Sequence, residues 1–390
     1  MSGLYSKVFL FFIFLLLVSN VMVLTDTSVS YVIALVLFAI VAFYLLLGGK
    51  LSSRLFWFDL IPGLFIIAWV YGICLGFLNG NNPVYILSNF AGMSLYIIYF
   101  VMVFSKLDPE RLVRVLFWAA IINALYSYIF TAFLLFFEGR NYLQLLRMYY
   151  SPGLSVLGPF LALSLVAFSG SGKIRSRIGH SKVKNICLFL FLLIPYAVLS
   201  FSKGYFAALA ALIGMVICAL IFRLVQQLKI TRSSLLVVFF IALTTSALTV
   251  NFWDELVFSF SVSESSNAVR SEQAPEIISE FTLAGGGLGA VLDSGYSRND
   301  VAYGFELSYH SIVHKLGLIG VLICFVYVVC LAIPLFHIFF RNENYYTWLA
   351  LGGTLFVVPS YGNPMIFGPV IVTLHCCAMY FMRQLFLIRN

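Results

Sequence analysis

Three ionisable residues recur at intervals of four in the last quarter of the chain. Glu306, His310 and His314 stand at positions i, i+4 and i+8, so a helix would place them on one face. A carboxylate and an imidazole on one face are suited to removing a proton from a hydroxyl. A strongly apolar run follows, and ionisable groups at the mouth of a membrane helix are usually functional. The alternative is a polar helix end that faces water.

The base at this position is either Glu306 or His310. An imidazole has an unperturbed pKa near 6.5, which suits proton transfer at neutral pH and favours His310. The pair His310 and His314 does not predict a metal site. The pair lacks the embedded glutamate of the zinc-protease pattern, and no third potential ligand stands at a spacing typical of zinc sites.

Three cationic residues elsewhere are candidates for binding an anion. Lys203 lies in a short turn between two apolar runs, and Arg147 and Arg270 lie in polar segments. If the three converge, they would suit a diphosphate, for which Arg offers a bidentate fork. The alternative is that each one contacts lipid headgroups or acidic residues separately.

A glycine-rich run follows Arg270 at Gly285, Gly286, Gly287 and Gly289. Such a run forms either a tight turn at the membrane surface or a cradle of backbone N–H groups for a phosphate. It is not a nucleotide-binding P-loop, because no Gly-Lys-Ser/Thr follows it. The sequence predicts no cofactor.

The composition is that of a polytopic membrane protein. Hydrophobic residues make up 62% of the chain and charged residues 10%, with a mean hydropathy of +1.03, whereas soluble domains carry about 25% charged residues. The seven cysteines lie in apolar stretches and are interpreted as small buried hydrophobic residues. The net charge of +8 is explained by membrane topology, so it does not indicate nucleic-acid binding.

Runs of apolar residues long enough to cross a bilayer predict an all-α fold of about twelve transmembrane helices. One large polar segment, 254–305, separates helices 9 and 10, so the chain divides into 1–253, 254–305 and 306–390. The predicted helices are 4–24, 29–47, 58–78, 84–104, 112–137, 153–169, 185–200, 205–222, 234–253, 307–333, 345–360 and 365–386.

The orientation follows from the short loops. With both termini in the cytoplasm, 17 of the 23 Lys and Arg residues fall on the cytoplasmic side, as the positive-inside rule requires. Segment 254–305, with eight acidic residues and two arginines, then lies outside, and 169–184 lies inside. The cations left on the outer side are Arg140, Arg147, Lys203, Arg270, Arg298 and Lys315.

Three motifs resemble the O-antigen polymerase and O-antigen ligase superfamily of bacterial membrane glycosyltransferases. Ser202-Lys203-Gly204 resembles a Ser-Arg-Gly turn between two middle helices. Arg270, with Gly285–Gly289 after it, resembles an Arg … Gly-x-Gly pattern in the large outer loop. The stretch from Glu306 to Gly320 resembles the segment that enters the next helix. Order and spacing agree over roughly 200–320.

The resemblance implies a GT-C-like fold and a metal-independent glycosyltransferase. It implies that the protein polymerises undecaprenyl-diphosphate-linked oligosaccharide repeat units on the periplasmic face of a bacterial inner membrane, with a chain-length regulator as a candidate partner. Two departures are visible. Ligases typically carry a His where this chain has Glu306, and the turn residue is Lys203 where Arg is usual.

The roles that the resemblance implies follow its register, which favours Glu306 as the base and His310 as its partner. One alternative function is an O-antigen ligase that transfers the chain to lipid A-core. The other is a non-enzymatic flippase or transporter, although transporters usually place charges near the bilayer midplane. The expected site residues are Glu306 and His310 for catalysis, Arg147, Lys203, Arg270 and Lys315 for the diphosphate, and Tyr309, His314, Gly287 and Gly289 for other substrate contacts.

Overall fold

The computed structural model is helical throughout the part of the chain that it describes. In those residues 85% of the chain is helix and there is no strand, in agreement with the predicted all-α class. The described residues are 3–22, 32–37, 39–40, 56–137, 152–169, 182–200, 202–227, 265–295, 302–340, 344–362 and 365–387.

The helices follow the apolar runs of the sequence closely. Their starts often coincide with residues that favour helix N-termini, as at Pro83, whose preceding Asn82 accepts from Val84 N. The α-helices are Gly3–Met22, Leu60–Leu78, Pro83–Ser88, Ile97–Phe104, Pro109–Phe137, Gly158–Ser169, Lys182–Leu193, Lys203–Gln227, Ser265–Ser279, Ser308–Phe340, Tyr345–Thr354 and Pro369–Leu387, and shorter 3₁₀ or π turns are Trp57–Asp59, Ala91–Tyr96, Pro152–Leu157, Ile194–Leu199, Leu355–Val357 and Pro359–Gly362.

Five helical segments of the described chain are long and apolar enough to cross a bilayer. They differ in how far the bundle encloses them: 83% of the apolar window of Pro369–Leu387 is buried, against 28% for Trp57–Leu78. The C-terminal helix is therefore central and the other lies at the periphery. The five are Trp57–Leu78, Pro83–Phe104, Pro109–Phe137, Ser308–Phe340 and Pro369–Leu387.

Four shorter apolar helices accompany these five, at Tyr5–Ser19, Pro152–Ala167, Val183–Leu199 and Lys203–Ala219. The predicted helix 234–253 and most of 29–47 lie outside the described residues. All seven cysteines are free. The expectation that all are buried is wrong for Cys74, Cys187 and Cys218, which are exposed on helix surfaces, because an apolar environment in a membrane protein includes lipid-facing positions.

A buried ion pair joins the start of one span to the end of another. Arg383 Nε lies 3.0 Å from Asp59 Oδ1 and 3.3 Å from Oδ2, and both side chains are buried. The Tyr99 hydroxyl also donates to Asp59 Oδ1, and Phe56 N donates to Oδ2 at 2.7 Å. The carboxylate thus ties three segments together and has its acceptors satisfied.

Replacing Asp59 with alanine should destabilise the protein strongly, because it removes the carboxylate that pairs with the buried Arg383 guanidinium. Losing one partner of a buried pair costs about 3–5 kcal/mol. The thermal unfolding midpoint of the purified protein measures this. Arg111→Ala is the control, since Arg111 pairs with Asp108 at the surface, where such pairs contribute about 0–1 kcal/mol. Equal effects of both substitutions would contradict the structural role of Asp59.

The helix Ser308–Phe340, called here the kinked helix, is broken at Gly317. Gly317 has φ 56° and ψ −132°, which interrupts the helical hydrogen-bond ladder and leaves backbone groups without helical partners. The segment Leu283–Gly289, called here the glycine strap, satisfies three of them. Gly286 N donates to His314 O and Gly287 N to Lys315 O, both at 2.9 Å, and Leu318 N donates to Leu283 O at 3.0 Å. Non-helical backbone is tolerated in a membrane only where protein supplies such partners.

The other side of the glycine strap is fastened to the end of Trp57–Leu78. Leu288 N donates to Gly72 O at 2.9 Å, and Asn81 Nδ2 donates to the carbonyls of Gly286 and Leu288, both at 2.9 Å. The strap is therefore wedged between two spans. Gly287 has φ 79°, and a Cβ there would lie 2.5 Å from Gly76 Cα, so only glycine fits.

Gly287→Ala should lower the amount of folded protein sharply, because the added methyl would force the strap away from Gly76. Gly80→Ala is the matched control: Gly80 has a similar φ of 73° but no described atom within 4 Å of its would-be Cβ. The control carries only the backbone strain, of order 1–2 kcal/mol. Size-exclusion profiles and membrane levels compare the two. Equally mild effects would show that the strap does not need this close contact.

Candidate functional site

Arg270 is the point at which the polar segments converge. It projects from the helix Ser265–Ser279, called here the loop helix. Its Nε lies 3.2 Å from Glu306 Oε2, its Nη2 donates to Gly362 O at 2.8 Å, and its Nη1 donates to Asn267 Oδ1 at 3.3 Å. One guanidinium therefore holds together the loop helix, the segment before the kinked helix and the turn Pro359–Gly362.

Lys203 joins the same cluster from another direction. It is the first residue of the helix Lys203–Gln227, and its Nζ lies 3.4 Å from Asn267 Oδ1. Asn267 is thus shared between Lys203 and Arg270. The structure brings together two of the cations that the sequence singled out for a diphosphate, whereas Arg147 lies outside the described residues.

Two glycines permit this close assembly around the turn Pro359–Gly362. A Cβ on Gly204 would lie 2.6 Å from Pro359 Cα, and a Cβ on Gly362 would lie 2.9 Å from Arg270 Cζ. Gly204 therefore lets the Lys203 helix begin against the turn, and Gly362 lets the guanidinium approach the turn backbone. The third position of the Ser202-Lys203-Gly204 motif is therefore glycine because a side chain there would clash with Pro359.

Sequence reasoning missed the turn Pro359–Gly362, which carries no charge. Its neighbourhood, Ser360-Tyr361-Gly362-Asn363-Pro364, is a polar, turn-forming break between two apolar runs, and that break was the available signal. Tyr361 in this turn is 57% exposed, and its ring centre lies 6.3 Å from that of His310.

Glu306 is held by its backbone beside the loop helix. Its N–H donates to Gln273 Oε1 at 2.9 Å, and Gln273 is fully buried. The carboxylate is 14% exposed and the Arg270 side chain 22%. The helix begins only at Ser308, so the expectation that Glu306 shares a helix face with His310 is wrong. The Gln273 side chain, rather than a helical carbonyl, satisfies its N–H.

The two histidines point to different surroundings. His310 is partly buried beside Tyr361, and its Nδ1 has no hydrogen-bond partner among the described residues. His314 is buried, with Nε2 3.3 Å from Glu280 Oε2 and its ring 5.3 Å from that of Phe305. His310 therefore lies beside the turn Pro359–Gly362, whose Gly362 carbonyl accepts from Arg270, and His314 belongs to a separate pair with Glu280.

Lys315 is fully buried within an aromatic enclosure. Its Nζ donates to Tyr303 O and lies 4.5 Å from the Phe305 ring centre and 5.4 Å from that of Phe90. Such cation–π contacts stabilise a desolvated ammonium. A head group this enclosed does not reach a substrate while 302–307 stays in place. The geometry supports an anchoring role, which fixes the segment that carries Glu306, in place of the expected diphosphate contact.

The remaining expected substrate contacts are also engaged within the protein. The Tyr309 hydroxyl donates to Val357 O, which ties the kinked helix to the segment before the turn. The Gly287 N–H donates to Lys315 O. Gly289 packs against the backbone of Ile86, because a Cβ on Gly289 would lie 2.7 Å from Ile86 N. The glycine strap is a packing element in this structure, and its N–H groups at Gly286, Gly287 and Leu288 are not available as a phosphate cradle.

The cluster of Arg270, Lys203 and Glu306 combines two cations with one carboxylate. Two cations placed side by side stabilise an oxyanion or a leaving diphosphate, and a carboxylate next to them can accept a proton from a hydroxyl.

No protein-family model matches the chain, and neither does any curated protein.

Proposed function

We propose that the protein is a glycosyltransferase that polymerises undecaprenyl-diphosphate-linked oligosaccharide repeat units. The observation that carries the proposal is the contact of Arg270 with Glu306, with Lys203 reaching the same Asn267. These residues come from the three separate motifs that resemble the O-antigen polymerases. A diphosphate leaving group requires cations, and a sugar hydroxyl requires a base.

In the proposed reaction, the hydroxyl oxygen of the acceptor unit attacks the anomeric carbon of the donor sugar. The bond between that carbon and the diphosphate oxygen breaks, and the electron pair leaves with the diphosphate. Arg270 and Lys203 compensate the charge on the leaving group. Glu306 takes the hydroxyl proton, and His310, on the side of Tyr361, orients the acceptor hydroxyl. The products are the lengthened chain on its lipid and free undecaprenyl diphosphate.

The finer topology forms part of the proposal: about twelve spans, a GT-C-like arrangement, both termini in the cytoplasm and the site facing the periplasm of a bacterial inner membrane. The cluster stands where the helix Lys203–Gln227 and the kinked helix begin. The distribution of Lys and Arg along the chain assigns this end to the outer side.

Cysteines placed at positions 279 and 176 should distinguish the two faces in a cysteine-free background. Ser279 is exposed at the end of the loop helix, and position 176 lies in the basic segment 169–184 outside the described residues. A membrane-impermeant thiol reagent added to intact spheroplasts should label position 279 and spare position 176 until the cells are lysed. The reverse pattern would overturn the orientation and the periplasmic site.

A ligase is the second candidate, because ligases use a His and the imidazole of His310 lies beside the turn that Arg270 contacts. Deleting the gene in its host separates the functions, with the lipopolysaccharide resolved by gel electrophoresis. Loss of a polymerase leaves one repeat unit on the core, and this is the expected result. Loss of a ligase leaves long chains that are not attached to the core, and loss of a flippase leaves the core without repeat units.

A further inference from the structure

The guanidinium of Arg270 is in contact with an anionic group of the protein itself. Of its three partners, two are neutral oxygens, from Gly362 and Asn267, and the third is the Glu306 carboxylate. The contact with Glu306 is an ion pair by distance, because the Arg270 Nε–H forms no hydrogen bond with a described residue. A phosphate oxygen carries the same sign of charge and can form a charge-assisted hydrogen bond with a guanidinium. Glu306 therefore stands where a substrate phosphate oxygen would stand.

We infer that Glu306 is an internal stand-in for the substrate diphosphate, so that the diphosphate displaces its carboxylate from Arg270 and thereby releases it to act as the base. This inference rests on the proposed function. Among the described residues, the cluster contains the cations Arg270 and Lys203 and the carboxylate of Glu306. A diphosphate entering beside a paired Glu306 would meet a like charge in a site that is only 14–22% exposed, where such repulsion is weakly screened.

Hydrogen bonds fix the backbone around Glu306, so its side chain can rotate while that backbone stays in place. Glu306 N is fixed by Gln273 Oε1, and three residues earlier Tyr303 O is fixed by the buried Lys315 ammonium. The Glu306 side chain has several rotatable bonds beyond this fixed backbone and lies ahead of the helix that starts at Ser308. The exchange is therefore a rotation of one side chain.

The exchange couples the two halves of the reaction. Glu306 is held on Arg270 while the donor subsite is empty, and it becomes available to a hydroxyl when the lipid diphosphate occupies Arg270. His310 is the third residue of the kinked helix, and its ring centre lies 6.3 Å from that of Tyr361 in the turn Pro359–Gly362, whose Gly362 carbonyl accepts from Arg270. In this scheme Glu306 leaves Arg270 only in the complex that contains a leaving group.

Binding of farnesyl diphosphate, a short polyprenyl diphosphate, to the purified protein in lipid nanodiscs tests the inference. Glu306→Gln should bind it about tenfold more tightly than the wild type, equivalent to about 1.4 kcal/mol, because the competing anion is removed. Glu276→Gln is the matched control. It removes one negative charge from the same loop helix, but its carboxylate contacts Ser294, so its affinity should stay within about twofold of wild type.

The double variant Arg270→Ala/Glu306→Gln should show no gain over Arg270→Ala, because the competition acts through Arg270. Unchanged or weaker binding by Glu306→Gln, with binding still dependent on Arg270, would overturn the exchange and leave the proposed diphosphate site standing. Binding that is equal in wild type and Arg270→Ala, or equal for farnesol and farnesyl diphosphate, would instead contradict the proposed function itself.

Discussion

Replacing Arg270 with alanine is expected to abolish polymer while the protein still reaches the membrane. The substitution removes the proposed contact to the leaving diphosphate and the guanidinium that pairs with the partly buried Glu306 carboxylate. Charge-assisted contacts of this kind contribute about 1.5–3 kcal/mol each, and the expected defect is at least this large because the leaving group gains charge in the transition state. Chain length in a complemented deletion strain, resolved on gels at matched protein levels, measures the effect.

Three further variants test whether the effect of Arg270→Ala is specific to the guanidinium and to this cluster. Arg270→Lys keeps the positive charge but loses the bidentate donor geometry of the guanidinium, so this variant should produce short chains only. Lys203→Ala should reduce polymer strongly without abolishing it, because Lys203 makes the longer contact in the cluster. Arg111→Ala removes a cation of an exposed pair with Asp108 and should be nearly neutral. Chains of wild-type length from Arg270→Ala would rule out its phosphate role.

Glu306→Gln is expected to stop polymerisation, because the amide keeps the shape of the side chain but cannot take the proton of the acceptor hydroxyl. His310→Ala should slow polymerisation without stopping it. The same gel assay reads both variants, and Glu280→Gln, whose carboxylate pairs with His314, serves as a control for the loss of a loop carboxylate.

The pattern of these two variants assigns the base. An active Glu306→Gln together with an inactive His310→Ala would exchange the two roles and bring the site closer to that of the ligases. Normal polymer from both would contradict an acid–base function for this region, and Arg270 and Lys203 would then act on the leaving group alone.

Hydropathy predicts the positions of the helices well, because a bilayer selects long apolar runs and Asn, Pro and charged residues end them. The predicted span 58–78 corresponds to Trp57–Leu78, and 112–137 to Pro109–Phe137. The break at Gly317 could not be predicted in this way. It depends on hydrogen bonds from the glycine strap, some 30 residues earlier, and hydropathy contains no information on such distant partners.

The candidate site was predictable in part. Arg270 and Lys203 are among the cations that the predicted topology places on the outer side and does not explain, and the two side chains share Asn267. The burial of Lys315 could not be predicted from the sequence, because the aromatic residues that enclose it come from separate positions, Phe90, Tyr303 and Phe305. An uncharged turn such as Pro359–Gly362 also gives little signal, since its contribution is a backbone carbonyl and the lack of a Cβ.

Reconstitution of the purified protein in proteoliposomes with undecaprenyl-diphosphate-linked repeat units from its host tests the central claim most directly. We expect a ladder of products that differ by one repeat unit, with one undecaprenyl diphosphate released for each linkage formed, and no ladder from Arg270→Ala or Glu306→Gln. Repeat units that remain single, or that only change bilayer leaflet, would contradict glycosyl transfer by this protein.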